Sequence, residues 1–386
     1  MLPRWLKTPA ALIVAALLTL AVLSYAILRG ATYSNDFKNP YRVARTFWQT
    51  ATLDIKSEPR YPPTIRVLLA PLAALPIGAA AAIWALASLA ALVSIPRLLE
   101  RLSGVPVGAQ ALAWLAVLPF VVDGVILGQL DPVNLFLVTA GLVVARERWP
   151  ALGAGLIGLA AMIKVLPLAF WGVLVARGRV RGAVVGAVVT GAASLVLLTA
   201  FSGWSAGLRS VADWYAGLHE TEGPWGLVAE RNSLRENNES LPVVLARTFG
   251  ALDPELTRNA VSLARLPLAA VWAVWMVILA LMAAAWLASA WRARRAPPER
   301  AWLGMFALTA VMMLVMTPIA WPHYFMWLLP ATVFLSYRPQ LLLGVAGLGQ
   351  LGMMIPTLRG VGCHMLLALA LFGLVAHDLH RRAIER

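Results

Sequence analysis

GLIGLAAMIKVLPLAFWGVLVA, residues 155–176, is an apolar run with a single charge, Lys164, near its middle and Pro167 shortly after it. As one helix it would be long enough to cross a hydrocarbon core about 30 Å thick. It would then place Arg146 and Arg148 across the membrane from Arg177, Arg179 and Arg181, against the tendency of basic residues to stay cytoplasmic. Divided at Lys164 into 150–163 and 165–176, the same stretch is a short helical hairpin. Both basic clusters then lie in the cytoplasm, and Lys164 sits at the turn, facing protein or water. This choice sets the orientation of every segment on either side.

Working outward, the 386-residue chain is 60% hydrophobic and 13% charged, with a mean hydropathy of +0.76. A soluble domain carries about 25% charged residues, so this is an integral membrane protein. Apolar runs divided by polar breaks fall near 9–29, 66–94, 108–127, 131–145, 150–163, 165–176, 180–200, 262–291, 301–318, 324–337, 340–357 and 361–379. They predict an all-α, polytopic chain of about twelve spans in one domain, 1–386. Backbone amides in lipid must be satisfied within the segment, and the runs are continuous where barrel strands would alternate. The lone cysteine, Cys363, excludes an internal disulfide framework and a thiolate metal cluster.

With twelve spans both termini are cytoplasmic, and the net charge of +14 can be divided by side. Cytoplasmic connectors hold 17 basic and 5 acidic residues; the outer side holds 14 basic and 13 acidic ones. The excess charge is a topology signal. It does not mark a nucleic-acid partner, because the basic residues sit in short connectors without interleaved aromatics. The long polar loops, 30–65 and 201–261, fall on the outer face with the turns GQLDPVN (128–134) and TPIAWPHY (317–324). Chemistry is expected there.

In the first outer loop Asp36 is the only acid among the first 53 residues. An amphipathic helix is predicted from Pro40, with Tyr41, Ala44, Phe47 and Trp48 on one face and Arg42, Arg45 and Gln49 on the other. Arg60, Arg235 and Arg247 are candidate phosphate clamps, since a guanidinium offers bidentate donors. Lys164, an ionisable group in an apolar segment, either contacts phosphate or pairs with Asp131 or Asp123. Asp131 before Pro132 suits a helix cap, and Gln129, Asp131 and Asn134 form a polar turn that either caps a span or meets sugar hydroxyls. Trp321, His323 and Tyr324 read either as an interfacial belt or as site residues. Asn238 and Ser240 are site or cap residues leading into a helix over 241–249.

The order of Asp36-Phe37 with Tyr41 and Ala44, Tyr61-Pro62-Pro63, Gly128-Gln129 with Asn134, Lys164 with Pro167, Asn238-Glu239-Ser240-Leu241 with Arg247, and Trp321-Pro322-His323-Tyr324 resembles glycosyltransferase family 87. The resemblance runs over nearly the whole chain. One departure is the Val165-Leu166 pair between Lys164 and Pro167.

The resemblance implies the GT-C fold, a polyprenyl-phosphate mannose donor, a lipid-linked or glycan acceptor, and an inverting, metal-independent reaction with no cofactor outside the cytoplasmic membrane. It implies Asp36 as catalytic base and His323 at the donor phosphate, with Arg60, Lys164, Arg235 and Arg247 as further phosphate contacts. Tyr61, Gln129, Asn134, Asn238, Ser240, Trp321 and Tyr324 would then line the substrate site. The chemistry agrees: a phosphate leaves readily, so one base for the acceptor hydroxyl and donors for the departing phosphate suffice. The competing class is a flippase or transporter of a lipid-linked sugar, which would show matching broken helices in two halves; none is evident here.

Overall fold

A computed structural model describes residues 28, 36–53, 55, 60–222, 234–252 and 261–384. The expected first span, 9–29, lies outside the described residues apart from Leu28, as do parts of both long loops.

The described chain is helical throughout, with one isolated β-bridge between Gly250 and Leu266. After α1 (Lys38–Thr50) come two short helices, α2 (Thr64–Leu68) and α3 (Ala70–Ala73), then α4 (Ile77–Ser103), α5 (Ala111–Leu127) and α6 (Asp131–Glu147). The hairpin follows as α7 (Pro150–Ile163), a 3-10 turn (Leu166–Phe170) and α8 (Trp171–Ala176). The chain continues through α9 (Val180–Ser202), α10 (Trp204–Glu222), α11 (Leu241–Phe249), α12 (Leu268–Ala293) and α13 (Pro298–Met316). A 3-10 segment (Pro322–Leu328) leads into α14 (Leu329–Phe334), α15 (Pro339–Met354), α16 (Pro356–Gly360) and α17 (Cys363–Ile384).

Six of these stretches are long and apolar enough to cross a membrane: Ile77–Ser103, Val107–Leu127, Val180–Ser202, Leu268–Ala293, Pro298–Met316 and Cys363–Arg381. The expected span at 66–94 is displaced toward the C-terminus. Pro71 and Pro76 break its beginning into α2 and α3, Pro76 standing extended at ψ 145° before α4. Gly104, at φ 70°, ends α4.

The hairpin forms as the sequence predicts. Lys164 is extended (φ −151°, ψ 126°) and stops α7. The Trp171 indole then donates to the Ala154 carbonyl at 3.0 Å, so the returning arm runs back along α7. A 14-residue helix rises only about 21 Å, short of a bilayer core, which leaves the turn at depth.

Small residues let these helices touch. A Cβ on Gly141 would stand 2.6 Å from the Gly153 carbonyl oxygen, and one on Gly153 would stand 2.7 Å from the Ala145 amide nitrogen. Gly182 and Gly186 of α9 meet Pro150 and Ala154 of α7 in the same manner. Without a hydrophobic drive between helices in lipid, such backbone approach supplies the packing.

The residues assigned to one side of the membrane gather at one end of the bundle. Arg101 bonds Glu147 through both donors, at 3.0 and 2.7 Å. Arg146 reaches the Arg101 and Leu102 carbonyls and pairs with Glu299, and Asp378 pairs with Arg300 and Arg338. The far ends of α4, α5, α6 and α13 face the segments predicted as outer.

The contrast between two glycines tests the packing. Gly153→Ala, whose new methyl meets backbone, should cost about 1–3 kcal/mol and lower the thermal midpoint in detergent. Gly155→Ala, whose Cβ meets nothing within 4 Å, should leave it unchanged or raise it slightly.

Candidate functional site

At the end opposite the charged pairs, α1, α10, the hairpin turn and the strap 317–324 enclose a cavity of about 370 Å³. Eight of the residues singled out in the sequence line it: Asp36, Arg60, Tyr61, Gln129, Lys164, Trp321, His323 and Tyr324.

Asp36 is held by its surroundings. The amides of Asp36 and Phe37 donate to the Leu127 carbonyl at 3.3 and 3.4 Å, one of the carbonyls left open at the end of α5. Phe37, 1% exposed, stacks on Trp84 with ring centroids 5.9 Å apart. The Trp84 indole donates to the Gln129 carbonyl at 3.2 Å, and the Gln129 amide side chain donates to Asp36 Oδ2. The turn carrying Gln129 needs Gly128 at φ 69°, where a side chain would be strained. The helix that leads away, α1, packs by Pro40, Val43, Ala44 and Phe47. Trp48, expected on that face, is 55% exposed. Arg45, expected to point away, caps the Ala73 carbonyl at 2.7 Å.

Across the cavity Lys164 pairs with Asp131 at 2.9 Å and lies 3.6 Å from the centre of the Tyr324 ring. Asp131 does not cap its helix; α6 begins at Asp131 itself after Leu130. The second carboxylate oxygen of Asp131 instead accepts the Trp327 indole at 2.9 Å. Both charges are buried, so their mutual satisfaction is a condition of folding, and Lys164 and Tyr324 both line the cavity. His323, 2% exposed, has no hydrogen-bond partner on either ring nitrogen.

Five expected site residues do not line the cavity. Asn238 accepts the amides of Ser240 at 3.1 Å and Ala320 at 3.0 Å, and Ser240 donates to the Pro318 carbonyl at 2.6 Å. Together with the Glu239 amide on the Ala320 carbonyl at 2.8 Å, they staple the strap 317–321 from behind. Their polar groups serve a wall that has no helix of its own to satisfy it. Arg247, 2% exposed, is turned inward onto the Arg235 and Arg359 carbonyls. Burial pushes its guanidinium down to about 10, against the opposing pull of Glu239 and Glu236. Arg235 is exposed outside the cavity. Asn134 is fully buried, with neither atom of its carboxamide hydrogen-bonded.

Tyr215, Leu218 and His219 of α10 complete the wall. None of the three is among the site residues expected from the sequence. The spacing of 215, 218 and 219 is the signal that could have shown one helical face. The buried carboxylate of Glu239 meets His364 Nδ1 at 2.5 Å and the His364 amide at 3.0 Å, with Cys363 Sγ 3.9 Å away. Among the described residues these three alone form a group able to hold a metal ion, and none lines the cavity.

Comparison with known proteins gives a match between residues 60–318 and the model of Glycosyltransferase family 87. The chain is also 29% identical, over 306 residues, to the polyprenol-phosphate-mannose-dependent alpha-(1-2)-phosphatidylinositol pentamannoside mannosyltransferase of Mycolicibacterium smegmatis. That alignment covers 78% of this chain and 66% of the relative, so this chain spans about two thirds of the relative's length. No solved structure matches.

The buried pair gives a double-mutant test. Lys164→Met alone leaves Asp131 uncompensated and should cost about 3–5 kcal/mol, read as a fall in thermal midpoint. Lys164→Met with Asp131→Leu should regain most of that stability. If transfer of sugar stays lost in the stable double variant, Lys164 acts on substrate as well as on the fold.

Proposed function

The chain belongs to glycosyltransferase family 87, and from that premise we propose that it transfers mannose from a polyprenyl-phosphate donor to a lipid-linked glycan on the outer face of a bacterial cytoplasmic membrane. The supporting observation is one cavity whose lining holds a single carboxylate, Asp36, together with Lys164, His323 and Arg60.

In this reading the acceptor hydroxyl oxygen attacks C1 of the sugar while Asp36 takes its proton. The C1–O bond to phosphate breaks with both electrons on the departing oxygen, and attack from the opposite face inverts C1. The phosphate oxygens gather the charge, which Lys164, His323 and Arg60 stabilise. Gln129 orients Asp36 through its amide hydrogens. Tyr61, Trp321, Tyr324 and Tyr215 offer aromatic faces and hydroxyls to sugar and lipid. No metal is required by this chemistry, because the leaving group is already stabilised and the base is a carboxylate. In this reading the site's residues sit on a GT-C-type bundle in which α6, the hairpin, α14 and α15 add crossings or half-crossings to the six long helices.

Asp36→Asn keeps the size and hydrogen-bonding of the side chain and removes the base. Transfer from polyprenyl-phosphate mannose in liposomes should fall by about 10²–10⁴ at unchanged thermal midpoint. Near wild-type turnover in the folded variant would rule out this role.

A further inference from the structure

Beside the polar cavity, α5 and α15 border a second one of about 480 Å³. Its walls are apolar side chains such as Leu115, Leu118, Val122 and Met353, and Asp123 is the only charged residue lining it. A carboxylate facing apolar walls at the outer end of a membrane helix is costly without a partner. Asp123 Oδ2 stands 3.5 Å from His323 Nδ1.

His323 lines the polar cavity, and Asp123, its neighbour on α5, lines the apolar one. The His323 ring is buried, yet no hydrogen bond holds either nitrogen. Gly124, next to Asp123, brings α5 against it: a Cβ there would lie 3.5 Å from the His323 Cβ. With Nδ1 toward Asp123, Nε2 is the nitrogen on the far side of the ring. The other titratable or charged groups around it are Tyr324, with ring centroids 4.8 Å away, Lys164 over Tyr324, and Asp131 of α6. Across the same cavity stand Asp36, Arg60, Tyr61, Tyr215 and His219.

We propose that Asp123 is a positioning residue for donor binding: it fixes the His323 ring through Nδ1, so that the ring is held in the wall of the polar cavity against the phosphate of the lipid-linked donor. The inference rests on the reading of His323 as a phosphate contact. The carboxylate and the ring nitrogen stand within ion-pair reach, and an imidazole held from one nitrogen has its ring orientation set. The acid is paired through an imidazole and not through Lys164, whose charge Asp131 already takes.

The test uses the full chain in detergent or nanodiscs and farnesyl phosphate as the probe, with its Kd measured at neutral pH. Asp123→Asn should bind about tenfold more weakly, as for loss of one charge-assisted contact. Asp123→Glu should restore much of the affinity. In a His323→Gln background Asp123→Asn should have no further effect. Asp123→Leu, which suits the apolar wall, should remain folded by thermal midpoint and share the binding defect of Asp123→Asn, separating loss of the probe from loss of the fold. An Asp123→Asn curve superimposed on wild type, or an equal loss in the His323→Gln background, overturns the proposal. Because binding is read without turnover, failure of Asp36 as base would leave this result standing.

Discussion

The buried pair of Lys164 and Asp131 is the contact on which the rest of the architecture depends. Neither charge could stay at that depth alone. Lys164 ends α7, so its position determines where the hairpin turns; Asp131 opens α6, so its position determines where that helix starts. Trp327 and Tyr324 join from the far end of the sequence through an indole hydrogen bond and a ring under the ammonium. One ionic contact thus ties three separated stretches of chain into a common floor, and the polar cavity opens above it.

The sequence made the helical class, the break at Lys164 and the gathering of the connector charges at one end of the bundle readable, because each follows from a local rule. Apolar length identifies membrane segments, a lysine with a nearby proline marks a break, and basic residues in short connectors mark a side. The eight site residues that converge on one cavity were also visible as polar or aromatic residues in the loops and turns predicted as outer and, for Lys164, as the charge at the hairpin turn. Partner choice was less visible. Whether Lys164 takes Asp131 or Asp123, and whether Arg247 faces substrate or backbone, depends on helix rotation, which the chain sets only by packing together. Asp131 looked like a cap because Pro132 follows it; tertiary pairing overrode that local preference. The wall from α10 was missed because His219 lies on an amphipathic helix whose polar residues look like ordinary solvated ones.

Asn238, Glu239 and Ser240 show how a motif can be tied to function without touching the cavity. Their side chains and amides hold residues 318–320, which have irregular backbone and no ladder or helix to satisfy them. Glu239 carries the same connection on to the start of α17 through His364. A change in this trio would alter the position of Trp321 and His323 while leaving the identity of every cavity residue unchanged. Loss of activity on substitution there reports displacement of a wall, and is separable from loss of a substrate contact only by knowing which way each group points.

The order of the charged pair along the chain has a consequence for how the protein is made. Asp131 is synthesised 33 residues before Lys164, so the acid is available before the hairpin is complete. The lysine at the hairpin's tip therefore never has to wait in lipid for a partner still to come. The reverse order would expose a cation at membrane depth during insertion, and the two short arms, each too brief to span alone, would have nothing to anchor them. The early acid is in this sense a berth prepared for a segment that could not settle in the membrane by its own hydrophobicity.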